Sequence, residues 1–138
     1  MVKKGKKTQG DYRRKWRLKK NKLERDAKRI WQIACYKKWG RRCQVCNKEA
    51  TTVHHFFPKS QYGILKFDID NGVPICNSCH FKHHQVSDPT IHQIIIGKRG
   101  KKWYDALEEK SKSGKTSFRG TRFYKQEMER LEKEIKKM

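Results

Sequence analysis

Two cysteine pairs, Cys43-x2-Cys46 and Cys76-x2-Cys79, stand 29 residues apart. The x2 spacing lets one turn present two thiolates to adjacent corners of a tetrahedron, about 2.3 Å from a single ion, and two such turns close the shell. No ligand position stays open, so the chemistry expected is a structural zinc site whose binding energy adds to folding. The competing reading, two separate redox motifs, is disfavoured by the matched pairs within one short segment. Five of the six histidines crowd the same stretch: His54 and His55 between the pairs, then His80, His83 and His84. On a helix His80 and His84 lie one turn apart on a shared face and can chelate together. His83, three residues from His80, competes for that role or binds phosphate; the i,i+4 spacing of paired helical histidine ligands favours His84. Cys35, beside Ala34 on an apolar stripe, is expected to be a buried small hydrophobe.

These side chains need elements to hold them. Residues 1–10 are Lys-rich, without apolar periodicity, and are expected to be a disordered basic arm. Asp11 is the expected N-cap of a basic amphipathic helix over 11–40, with Trp16, Leu23, Ala27, Ile30, Trp31 and Ala34 on one stripe. Residues 41–110 are expected to form the core unit. It holds a hairpin around Cys43–Cys46, strands at Thr51–His55 and Val73–Cys76, and a helix from about Ser78. Asp88-Pro89 predicts a helix start, with Gly97 stopping that helix, and Lys101–Lys110 predicts another. A polar linker over 111–120 then leads to a final helix, 121–138, with Tyr124, Met128, Leu131 and Ile135 on one face. The fold class expected is α+β, mostly helical. Asp68 and Asp70 are expected to bond to backbone, Phe56, Phe57 and Phe67 to be core, and His92, in an Ile-rich helix, to be structural.

Composition narrows the function. Only 34% of the residues are hydrophobic and 36% are charged, so a large apolar core is unavailable and a metal staple fits. Thirty-six Lys and Arg face 14 acids, a formal charge of +22, which calls for a polyanionic partner. Nucleic acid is preferred to an anionic membrane surface, since no apolar run approaches the roughly 20 residues of a spanning helix. The lysine-rich start leads into no apolar stretch, so no export signal is expected. A reducing cytosol, where cysteines serve as metal ligands, is the expected setting.

Between and after the cysteine pairs run Val53-His54-His55-Phe56-Phe57-Pro58, Asp70-Asn71-Gly72-Val73-Pro74-Ile75 and Cys79-His80-Phe81-Lys82-His83-His84. A doublet ending in His, an Asn before the second strand and a His nine residues later resemble the HNH (ββα-metal) endonuclease superfamily. The resemblance covers roughly residues 43–84 and implies a ββα-metal core stapled by the four cysteines. It also implies a metal-dependent endonuclease or nickase acting on DNA, held mainly through phosphates. By the resemblance His55 is the general base, Asn71 holds the His55 loop through backbone hydrogen bonds, and His54 and His80 are metal ligands, joined by His84. Lys59, Lys82 and His83 are candidate phosphate contacts. His54 stands where many members of the superfamily carry Asp, so imidazole replaces carboxylate and magnesium is disfavoured relative to manganese, nickel or zinc. The segment His54–Ser60 also looks like small bacteriophage-encoded HNH proteins, which implies a bacterial or phage-infected host cytosol. The alternative is a non-catalytic zinc-ribbon protein that binds nucleic acid; a nuclease acting on RNA ranks lower, for want of a stacking platform for unpaired bases.

Overall fold

A threonine, not an aspartate, begins the first helix. In the computed structural model, which describes residues 5–6, 8–59, 62–85, 89–112 and 120–138 without the side chains of His84 and Gln85, α1 spans Gln9–Trp39. Thr8 is its N-cap: the Thr8 hydroxyl accepts from the Asp11 N–H at 3.2 Å, and the Asp11 carboxylate accepts from the Thr8 N–H at 2.9 Å. Asp11 is thus the reciprocal partner of a capping box, and the helix starts inside the segment expected to be a disordered arm. Residues 1–4 and 7 of that arm lie outside the described residues. The expected stripe is real from Ala27 onward, where Ala27, Trp31, Ala34 and Cys35 are buried. Trp16 is instead 53% exposed, because residues 9–22, roughly four helical turns, extend beyond the body.

Strands β1 (Thr52–His55) and β2 (Gly72–Ile75) pair antiparallel, with His54 opposite Val73 and His55 opposite Gly72. Helix α2 (Asn77–Gln85) follows at once, completing a ββα unit. Helix α3 (Thr90–Arg99) continues through Gly97 and ends at Gly100, whose φ of +96° suits glycine. Gly97 is therefore not the stop; a helix interior tolerates a glycine at a modest cost. Asp88, the expected cap, lies outside the described residues. Helix α4 (Lys101–Lys112) takes in the first two residues of the expected linker, and 113–119 lie outside the described residues. Helix α5 (Thr121–Lys137) packs Tyr124 and Leu131 against α1.

Two apolar clusters result. One gathers Cys43, Phe56, Leu65, Val73, Ile75, Ile91, Ile95 and Leu107; the other gathers Ala27, Trp31, Val53, Phe67, Ile69, Tyr124 and Leu131. The loop 66–71 lies between them, and its carbonyls must find donors once buried. Trp31 Nε1 donates to Asp68 O at 2.8 Å, Trp39 Nε1 to Ile69 O at 3.1 Å, Trp103 Nε1 to Asp70 O at 3.0 Å and Arg130 to Phe67 O at 2.8 Å. Arg99 reaches Asp70 O and Gly72 O, with its guanidinium 3.7 Å over the Trp39 ring. Donors from α1, α3, α4 and α5 thus converge on one loop. Gly72 lets α1 approach β2: a Cβ there would stand 2.3 Å from Cys35 Sγ and 3.0 Å from Trp31.

Candidate active site

The cysteine pairs meet as their spacing predicts. Sulfur atoms of Cys43, Cys46, Cys76 and Cys79 all lie within 4.8 Å of one another, and Cys46 Sγ is 3.6 Å from Cys76 Sγ. A tetrahedral ion with 2.3 Å sulfur bonds has sulfur–sulfur edges of roughly 3.8 Å, so the quartet is positioned to bind a metal. The first knuckle turns at Asn47, φ +66°, a conformation asparagine tolerates. Within it the Val45 N–H donates to Cys43 Sγ at 3.4 Å, and these backbone donors help pull the Cys43 thiol down to about 7 against the opposing effect of burial. Cys35 takes no part: it is fully buried, its thiol pushed up by burial, and it donates to Ile69 O at 3.8 Å.

Beside the quartet, a cavity of about 510 Å³ is lined by His54, His55, His80, His83, Lys28 and Lys59, among others. His55 leaves the end of β1 half-buried. Its ring stacks on Trp31, centroids 4.3 Å apart and planes 15° from parallel. Nε2 lies 2.9 Å from Lys66 O. A carbonyl can only accept, so Nε2 carries the hydrogen and Nδ1 keeps the lone pair. Burial, first, and the charges of Lys59, Lys28 and Lys66 depress the His55 pKa to about 4, despite the bond to Lys66 O. The imidazole is therefore neutral across the physiological range.

Asn71 is fully buried behind this loop. Its Oδ1 accepts from the Phe57 N–H at 2.8 Å, and its Nδ2 donates to Phe57 O and Leu65 O, both at 3.1 Å. One side chain thereby ties the chain leaving β1 to the residues just before Lys66. Asp68 accepts from the Asp70 N–H, as expected for an acid at a turn.

Around His54 three further histidines, His80, His83 and His92, come together. The His54 ring is 5.3 Å from His80 and 4.6 Å from His83, centroid to centroid. His83, the alternative to His84 on the sequence, is brought to His54, while the His84 side chain lies outside the described residues. His92, expected to be structural, joins the group at 4.6 Å from His83. Its Ile-rich surroundings gave no sign of this in the sequence. Lys59 is exposed yet lines the cavity, its pKa lowered by partial desolvation and by Lys28 and Lys66. Lys82 is exposed and is not among the residues lining the cavity. Lys28, which the sequence did not single out, lines it from α1. Lys66, a second missed residue, bonds through Nζ to Glu24 and through its carbonyl to His55.

Residues 43–85 match the family model for HNH endonucleases, a span of just under a third of the chain. No curated protein and no solved structure matches. The matched span runs from the first cysteine of the quartet to the end of α2, which is the ββα unit together with both knuckles. It points to a nuclease or nucleic-acid-related function. No helix among the described residues is long and apolar enough to cross a membrane.

Proposed function

We propose that the protein is a metal-dependent endonuclease that hydrolyses DNA phosphodiester bonds, with His55 as general base. The observation that carries this reading is the shared cavity: an imidazole with a defined lone pair lines it together with His54, His80 and His83. In hydrolysis a water oxygen attacks phosphorus, the P–O bond to the leaving oxygen breaks, and the water gives up a proton. His55 Nδ1 accepts that proton, and the Lys66 carbonyl and Trp31 ring hold the imidazole square to it. Asn71 is a positioning residue for the same loop. Lys28 and Lys59 bind the phosphate, and a bound phosphate would offset the lysine charges that depress His55. His54 and His83, with the His80 ring beside His54, would hold a divalent cation, which when bound stabilises charge on the phosphoryl oxygens. The cysteine quartet would hold a structural zinc.

Duplex contact extends along α1. From Lys28 at the cavity to Arg13 the helix rises roughly 22 Å at 1.5 Å per residue, the length of about six base pairs. Arg13, Arg14, Lys15, Arg17, Lys19 and Lys22 are exposed along that run. Binding should therefore weaken steeply with salt, by a log–log slope of about 0.9 per phosphate neutralised.

Supercoiled plasmid incubated with a panel of divalent ions tests the proposal. The parent should nick or linearise plasmid only with an ion present. His55→Gln should bind DNA with parental affinity and cut about 10² to 10⁴ times more slowly. Parental cutting by that variant overturns the base assignment, and a parent that binds but never cuts is a zinc-ribbon binder.

A further inference from the structure

Helix α3 lies beyond the segment that matches HNH endonucleases, yet it brings a histidine against two rings that line the cavity, 5.8 Å from His54 and 4.6 Å from His83. It docks through Ile91 and Ile95, both buried, and His92 follows Ile91 at the edge of that contact. The ring of His92 stacks on Phe56, centroids 4.2 Å apart and planes 24° from parallel. Its Nε2 is buried and has no hydrogen-bond partner among the described residues. A histidine kept only for packing would be expected to satisfy that nitrogen. One ring nitrogen from each of His54, His83 and His92 falls in a group whose members lie within 4.8 Å of one another.

We propose that His92 is a metal ligand, completing with His54 of β1 and His83 of α2 a three-imidazole seat for one divalent ion of the zinc, cobalt or nickel class. Three nitrogens bound to such an ion at 2.0–2.1 Å stand roughly 3.4 Å apart, a contraction within reach of side-chain rotation. Three protein ligands leave a fourth position open, as a catalytic site requires. An all-imidazole shell disfavours magnesium, a hard ion that prefers oxygen. The ion also ties α3 to the ββα unit, so its affinity depends on a helix outside the matched segment. The inference rests on the nuclease reading for what the second ion does, and it names the third ligand and the ion class.

The test uses the full chain with zinc already filling the thiolate quartet, titrated with Co²⁺ and followed by visible absorption. The parent should take one further equivalent, with bands of a nitrogen-rich site distinct from those of a thiolate site. His92→Phe keeps an aromatic ring over Phe56 and removes the nitrogens. It should keep the quartet's zinc and weaken the second ion by at least about a hundredfold, beyond the loss typical of a residue that only orients a ligand. If that variant does not fold, His92→Gln is read by the same criteria. Parental affinity, or a smaller loss with an unchanged cobalt spectrum, overturns His92 as a ligand and leaves the nuclease reading standing. A parent that accepts no second equivalent overturns both.

Discussion

The cavity has two walls built by different means. The wall carrying His55 is held by the protein alone: the Trp31 ring, the Lys66 carbonyl, the three bonds of Asn71 and a loop whose carbonyls are claimed by four helices. Another part of the lining comes from α2, whose start carries Cys79 of the quartet and whose middle carries His80 and His83. On the proposed reading, that wall would take its order from bound ions. A general base, the role proposed for His55, must be aimed before substrate arrives, and packing with hydrogen bonds would aim it. The ligands need only come together once an ion is present to draw them in.

The largest effect should come from removing an ion. Cys76→Ala opens the quartet and should lower the melting temperature by at least about 15 °C, since structural zinc contributes several kcal/mol to folding. Amide exchange should show α2 losing protection before loop 66–71 does, and equal loss in both would erase the contrast. Next comes the other wall. Asn71→Leu leaves the Phe57 N–H and the Phe57 carbonyl without their partner and takes one of two donors from Leu65 O, and should cost about 3 kcal/mol in urea denaturation. Cleavage should fall at least about a hundredfold while bound zinc is unchanged, and a loss of zinc would show that the walls are not separable. At the seam, Gly72→Ala pushes a methyl into Cys35 and Trp31 and should cost about 2 kcal/mol, read by the same denaturation. The smallest effect is a titration. By NMR the His55 ring should have its midpoint near 4, well below an ordinary histidine. Because the folded pKa is the lower one, the unfolded chain takes up this proton first. His55 therefore contributes stability above about pH 6.5, and that contribution fades as pH falls toward 4.

Residue spacing made the ion-built wall legible. Two CxxC pairs announce a quartet because the thiolates are local in sequence, and the ββα order follows from the strand and helix patterns around them. The hydrogen-bonded wall was harder to read. Trp31 sits on a visible apolar stripe, but nothing in a stripe says that its indole serves the Asp68 carbonyl 37 residues away. Arg99, in the last turn of α3, looks like a solvated cation in the sequence. In the fold it bonds to Gln44, Asp70 O and Gly72 O. Trp16 shows the reverse error: helical period tells which side would face a core, not how far the core extends. His92 was obscured by its Ile-rich neighbours, which explain the helix without it. Thr8 was passed over because Asp11 is itself a good cap, and only the pair together fixes the start.

The bond from Arg130 to Phe67 O spans 63 residues. On a ribosome, Phe67 emerges long before Arg130, and the loop that aims His55 lacks this last donor until α5 has been made. The surroundings of His55 are therefore completed only once α5 exists, whereas α1 is made well before it.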